Sequence, residues 1–118
     1  MAEHIHPDYS DIFVNNLTSA SNLIIFGAAT ERQSGDLHVN CRRQSYWISQ
    51  FEKRGYQCFD FFRPKYWRDV EVPANYAQNI FLFAKKGKFD DGTFDSKNFW
   101  DVEHPLMINE YVKRDYQI

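Results

Sequence analysis

Leu23-Ile24-Ile25-Phe26-Gly27-Ala28-Ala29 is the strongest structural signal in this 118-residue sequence. The run is short, continuously apolar and rich in branched side chains. This pattern is typical of a strand that is covered on both faces within a parallel sheet. Residues 56–62 and 79–85 form two further apolar runs. The sequence therefore predicts three strands, and the segments between them indicate how these strands are connected.

Two amphipathic segments are predicted as helices. Residues 7–20 form the first, and its predicted buried side consists of Ile12, Phe13, Leu17 and Ala20. Residues 43–54 form the second, which is expected to end at Gly55 after a basic pair. Its predicted buried side consists of Trp47, Ile48 and Phe51, with Tyr46 at the flank.

The order of these segments predicts the directions of the strands. A polar loop over residues 30–40 and the second helix separate the first two strands, and such a crossover requires parallel strands. Only short helical turns separate the second strand from the third, which can therefore return antiparallel. The tail over residues 86–118 is polar and aromatic, with one helix predicted over residues 104–114.

Composition excludes several classes of protein. Hydrophobic residues make up 43% of the chain and charged residues 25%, which is typical of a globular protein. The net charge of −2 carries no basic block, so no nucleic-acid partner is predicted. No apolar run approaches the roughly 20 residues of a membrane span, so no membrane partner is predicted either. Cys41 and Cys58 lack a metal-like spacing and are interpreted as reduced thiols of a cytoplasmic protein.

Several short strings match one family in order and spacing. Ala2-Glu3-His4-Ile5 resembles a Glu-His segment after strand four, and residues 23–29 resemble strand five. His38-Val39-Asn40 and Ser45-Tyr46-Trp47 resemble a block in which a His-Val-Asn loop precedes a Tyr-Trp helix. The match continues through residues 51–56, 63–67 and 76–83. Together these strings resemble the C-terminal half of a class I S-adenosylmethionine-dependent methyltransferase that acts on a small molecule.

The resemblance implies an α/β fold over residues 1–85. The expected structure is a partial Rossmann-like methyltransferase sheet, with strands equivalent to five, seven and six, flanked by helices. The tail over residues 86–118 is expected to pack on the sheet or on a partner. The strand at residues 23–28 would lie at an edge, so we expect it to pair with another chain, as in a homodimer, or with the tail.

The sequence also departs from the family. Relatives read Pro-Gly-Gln-Gly-Gly where this chain has Thr30-Glu31-Arg32-Gln33-Ser34-Gly35, and Glu-Gln where it has Cys41-Arg42. Its five glycines include no Gly-x-Gly, the turn that approaches the cofactor in such enzymes. The residues that bind S-adenosylmethionine are therefore not assigned, and a separate chain is expected to supply the missing N-terminal half.

The resemblance implies two groups of site residues. Glu3 and His4 are the predicted catalytic pair, as a general base or as metal ligands, and the alternative is an exposed terminus. The predicted substrate-binding residues are His38, Asn40, Tyr46 and Trp47, and the alternatives are loop, cap and core roles. No metal site is predicted, although His4, His6 and Asp8 are an alternative set of ligands. Arg42 and Arg43 are interpreted as a solvated pair, or alternatively as contacts for an anionic substrate.

Three functions are compatible with these patterns. The chain is predicted to be the substrate-side half of a methyltransferase that needs a partner chain for its cofactor. The first alternative is a non-catalytic remnant that serves as a binding or oligomerisation module. The second is an unrelated enzyme or ligand-binding protein with its site at a subunit interface.

Overall fold

Three short strands form one sheet. The computed structural model describes residues 2–30, 39–89 and 101–108. Strand β1 spans Leu23–Phe26, β2 spans Tyr56–Phe59 and β3 spans Phe81–Lys85. Their order in the sheet is β1-β3-β2, and β3 runs antiparallel to both neighbours. Strands β1 and β2 are therefore parallel to each other, and the predicted strand order and the predicted mixed α/β class are confirmed.

Four α-helices lie in the described part of the chain. They are α1 (Ser10–Ala20), α2 (Gln44–Glu52), α3 (Arg63–Tyr66) and α4 (Ala74–Asn79). Two 3₁₀ turns, Ala2–His4 and Pro7–Tyr9, precede α1. The turn after α2 contains Gly55 at a φ of 81°, a left-handed conformation that favours glycine. Residues 105–108 are also helical, and the rest of the helix predicted over 104–114 lies outside the described residues.

Helices α1 and α2 build the core against one face of the sheet. Ile24, Phe83 and Cys58 lie side by side on this face, in register across the three strands. The rings of Phe51 and Phe83 are stacked with their centroids 4.0 Å apart. The buried cluster contains Val14 of α1, Trp47, Ile48 and Phe51 of α2, and the inward residues of all three strands.

Two predictions about burial are wrong. In β1 the exposure alternates, with Leu23 40% and Ile25 61% exposed, because both long helices pack on the other face. In α1 the predicted Phe13 and Leu17 do pack against the core, but Ile12 is 55% exposed, Ala20 is exposed as well, and the fully buried residues are Ser10 and Val14. The Asn40 side chain donates a hydrogen bond of 2.8 Å to the Ser10 hydroxyl, and this bond helps to hold the face of α1 that carries Ser10 and Val14 toward the core.

The second strand is shorter than predicted. It ends at Phe59, and the remaining part of the predicted run leads into α3, which begins at Arg63. Pro64 lies in the first turn of this helix, where the missing amide hydrogen is tolerated. Within the described ranges, no helix is long and apolar enough to cross a membrane.

Candidate functional site at one end of the sheet

The polar side chains gather where β1 and β2 end and β3 begins. Phe26, the last residue of β1, pairs with Phe81, the first of β3, and Phe59 at the end of β2 pairs with Leu82. The carboxyl ends of the two parallel strands therefore share one edge of the sheet. Ligands of open α/β sheets bind at this edge, so it is the candidate functional site.

Glu3 and His4 lie on the 3₁₀ turn Ala2–His4, which is docked against the loop before α2. The Glu3 carbonyl oxygen accepts hydrogen bonds from the backbone amides of Val39 and Asn40, at 2.8 and 2.9 Å. Ala2 is buried. The turn is therefore packed onto the protein, and the alternative of an exposed terminus does not describe it.

The side chains of the two predicted catalytic residues are neighbours. Oε1 of Glu3 and Nε2 of His4 are 4.0 Å apart, which is ion-pair range but longer than a hydrogen bond. Burial raises the pKa of the Glu3 carboxyl. Its hydrogen bonds and the positive charge of the amino terminus lower this pKa by more, so the pKa lies below its usual value. Glu3 is thus an ionised, half-buried carboxylate at neutral pH, and His4 is more exposed.

Asn40 is buried and orients its neighbours. Its Nδ2 donates to the hydroxyl of Ser10, and its Oδ1 accepts a hydrogen bond of 3.0 Å from Nε of Arg42. The guanidinium carbon of Arg42 lies 4.7 Å from the centroid of the Tyr46 ring. Asn40 therefore connects α1, the loop and the start of α2.

A surface pocket of about 670 Å³ lies beside these residues. Its lining includes Asn40, Cys41, Arg42, Arg43, Tyr46 and Ser49. Two of the predicted substrate-binding residues, Asn40 and Tyr46, are thus brought together. His38 lies outside the described residues. Trp47 is 3% exposed and packs behind Tyr46, at 5.0 Å between ring centroids.

Trp47 carries a buried donor. Its indole Nε1 has no hydrogen-bond partner among the described residues. The ring also packs on Phe26 of β1, with centroids 5.4 Å apart. The structure therefore places Trp47 in the core next to the pocket, whereas Asn40 and Tyr46 form part of the pocket wall.

A buried amide network at the same edge was not predicted. Gln78 Nε2 donates to Asn79 Oδ1, and Gln44 Nε2 donates to the same oxygen, at 3.0 and 3.2 Å. Gln78 Oε1 accepts a hydrogen bond of 2.7 Å from the backbone amide of His104. Buried amides need partners, and here they hold the segment around residue 104 against the sheet. In the sequence, the feature that could have indicated this network is the adjacent pair Gln78 and Asn79, which directly precedes an apolar strand.

Arg63 is a buried cation next to this network. Its Nε and Nη2 each lie 2.9 Å from a carboxylate oxygen of Asp60, so the two side chains form a bidentate ion pair. Nη1 donates to the Gln78 carbonyl oxygen, and the guanidinium carbon lies 4.5 Å from the centroid of the Phe81 ring. Both oxygens of Asp60 are therefore engaged in holding α3 to the end of β2.

The cysteines do not form a nucleophilic site. Burial raises the pKa of the Cys41 thiol, and the negative charge of Glu3 raises it further. Burial also raises the pKa of Cys58. Since a thiolate is the reactive form, neither environment activates its sulfur. In the described part of the chain, no group of three or more His, Cys, Asp and Glu side chains is arranged to hold a metal ion.

The described residues offer no evident partner for the sulfonium cation of S-adenosylmethionine. The part of the pocket lining that the structure describes contains Arg42 and Arg43 and no carboxylate. Asp60, a carboxylate at the strand ends, is engaged by Arg63.

The chain was compared with known proteins in three ways. No protein-family model matches it, and neither curated proteins nor solved structures provide a match.

Proposed function

We propose that this chain is the substrate-side half of a class I methyltransferase-like domain that acts on a small molecule. The observation that carries the proposal is the strand order β1-β3-β2, with β3 antiparallel between two parallel strands. Methyltransferases of this class, which the sequence resembles, end with strands five, seven and six in the same arrangement. We assign β1, β3 and β2 to those three strands.

The proposed roles of the site residues follow their positions. Glu3 and His4 lie on a docked turn close to the backbone of Ala29, which follows β1. An ionised carboxylate beside an imidazole can act as a general base. Asn40 and Tyr46 line the pocket and are proposed to contact substrate, with Trp47 supporting Tyr46 from behind. His38, which lies outside the described residues, is proposed as a further contact.

The cofactor is proposed to bind through a second polypeptide or another segment of the protein. The described pocket lining offers no carboxylate to a sulfonium cation, and the sequence contains no Gly-x-Gly. Strand β1 lies at an edge of the described sheet, where a strand of the proposed partner could pair with it. The exposed side chains of Leu23 and Ile25 on this strand are consistent with burial against such a partner.

The same edge favours a second candidate function. A non-catalytic module would also use an exposed apolar strand edge, because unpaired strands associate readily. The two candidates differ in whether the assembled protein binds the methyl donor.

Titration calorimetry with S-adenosylmethionine tests the proposal. The purified chain alone is expected to give no binding heat. The chain co-expressed with a Gly-x-Gly polypeptide from the neighbouring reading frame is expected to bind in the micromolar range. Micromolar binding by the chain alone would contradict the half-domain proposal. Absence of binding in both preparations would favour the non-catalytic module.

A further inference from the structure

We infer that the pocket beside α2 binds the oxyanion group of a small molecule, a carboxylate or a phosphate, with Arg42 as the principal contact. This inference rests on the proposed function only where it identifies that molecule as the substrate. The binding itself is independent of S-adenosylmethionine.

Arg42 is oriented before any ligand arrives. Its Nε donates to the buried Asn40, which is in turn held by Ser10. Its guanidinium plane is supported by the ring of Tyr46. The Nη atoms have no hydrogen-bond partner among the described residues, so they can donate together to one oxyanion. Such two-pronged geometry is the reason that arginine recognises carboxylates and phosphates.

The pocket has the size and charge for such a ligand. Its volume of about 670 Å³ lies within the range of small-molecule sites, so it can hold more than a bare anion. Among the residues that the structure describes, its lining contains two arginines and no acidic residue.

The other polar groups of the pocket are already engaged. The Ser49 hydroxyl donates to the Tyr46 carbonyl oxygen, and the Ser45 hydroxyl donates to Asp101, each at 2.7 Å. Asp101 also accepts from the Ser45 backbone amide, so the start of α2 is capped by a side chain. The helix terminus therefore contributes little to anion binding, and Arg42 remains the available donor.

Two anions test the inference and distinguish the sources of the oxyanion. Inorganic phosphate and benzoate are titrated separately into the purified chain, with sodium chloride at matched ionic strength as the reference. Binding is followed by calorimetry and by thermal unfolding. At least one anion is expected to bind and to raise the unfolding temperature. Preference for phosphate assigns a phosphorylated ligand, and preference for benzoate assigns a carboxylic acid.

Substitutions at Arg42 locate the site. Arg42→Gln is expected to weaken binding about tenfold or more, since it removes charge-assisted hydrogen bonds. Arg68→Gln removes the same charge from an exposed position outside this pocket and should leave affinity unchanged. Arg42→Lys keeps the charge and loses the planar contact, so it should give an intermediate affinity. It is the deciding variant if circular dichroism shows that Arg42→Gln is unfolded.

Two results would overturn the inference. One is the absence of any response to either anion beyond that of chloride. The other is an equal loss of affinity in the Arg42 and Arg68 variants, which would indicate unspecific charge attraction. Failure of the calorimetric test with S-adenosylmethionine would leave anion binding untouched, so the two proposals fail separately.

Discussion

Single residues at the strand ends show how a charge is accommodated inside a small protein. Arg63 is 3% exposed, and burying an unpaired cation would cost several kcal/mol. Asp60 supplies the matching charge through two hydrogen bonds, and the Gln78 carbonyl oxygen occupies a third donor. The pair fixes the position of α3 and the start of β3, which are both next to the candidate site.

Asp60→Asn is expected to destabilise the protein by about 3 kcal/mol, because it leaves the Arg63 cation without a counter-charge. Urea unfolding followed by circular dichroism measures the change. Glu71→Gln, at an exposed position, is the matched control and should change the stability little. The double variant Asp60→Asn/Arg63→Met should recover part of the loss. A loss below the error of the measurement in Asp60→Asn would contradict the assigned role of the pair.

The two thiols are expected to react slowly with iodoacetamide in the folded protein. Their pKa values are raised by burial, and the charge of Glu3 adds to this effect for Cys41, so the thiolate fraction at pH 7.5 is reduced. Mass spectrometry of the labelled chain measures the rate for each cysteine. The chain unfolded in urea, where both thiols approach their ordinary pKa, is the control. Rapid labelling of folded Cys41 would indicate an activated sulfur.

Among the elements, α2 depends on a residue far along the chain. Its first turn has no side-chain cap from Arg43, the residue that precedes it. Asp101 instead accepts hydrogen bonds from the Ser45 amide and hydroxyl, at 2.9 and 2.7 Å. The Gln44 side chain donates to the Val102 carbonyl oxygen at 3.0 Å. The segment 101–104 thus completes the helix that carries Tyr46.

Asp101→Ala is expected to cost about 1 kcal/mol, the usual effect of losing an N-terminal cap. The exchange of the Ser45 amide hydrogen, followed by NMR, should become faster in this variant. Glu103→Ala removes an exposed acid two residues away and serves as the control. If both variants behave alike, the cap does not stabilise α2.

At the scale of the whole molecule, the described part of the chain has an asymmetric sheet. Helices α1 and α2 cover one face, while β1 lies at an edge of the described sheet with two exposed apolar side chains, Leu23 and Ile25. Proteins normally cover such an edge, because its unpaired backbone groups can pair with another chain. Self-association is therefore the expected state of the isolated chain.

Light scattering after gel filtration is expected to give a mass of about twice the 14.1 kDa of one chain. Ile25→Lys places a charge at the β1 edge and should shift the mass to that of a monomer. Val70→Lys places the same charge at a more exposed apolar residue away from the sheet, and should leave the dimer intact. A monomeric parent chain would contradict pairing of this edge with a second copy.

Much of the fold could be predicted from local patterns. Residues 7–20 and 43–54 have the period of helices, and both helices form within a few residues of the predicted bounds. The crossover between β1 and β2 and the short return to β3 predicted the directions of the strands, whereas the order β1-β3-β2 was expected only from the resemblance. Gly55 was also a local signal for the end of α2, because glycine readily adopts the positive φ that this turn has.

The site depended on contacts between distant segments. Glu3, Asn40 and Tyr46 were proposed as site residues from the resemblance, but neither their docking nor the orientation of Arg42 was predicted. Nothing local in the sequence indicates that Gln44, Gln78 and His104 share one buried network, since 26 residues separate Gln78 from His104. Local sequence specifies helices and strands through periodicity and backbone preference. Which polar groups become buried partners is determined when the packed chain removes them from water and leaves them only each other to bond.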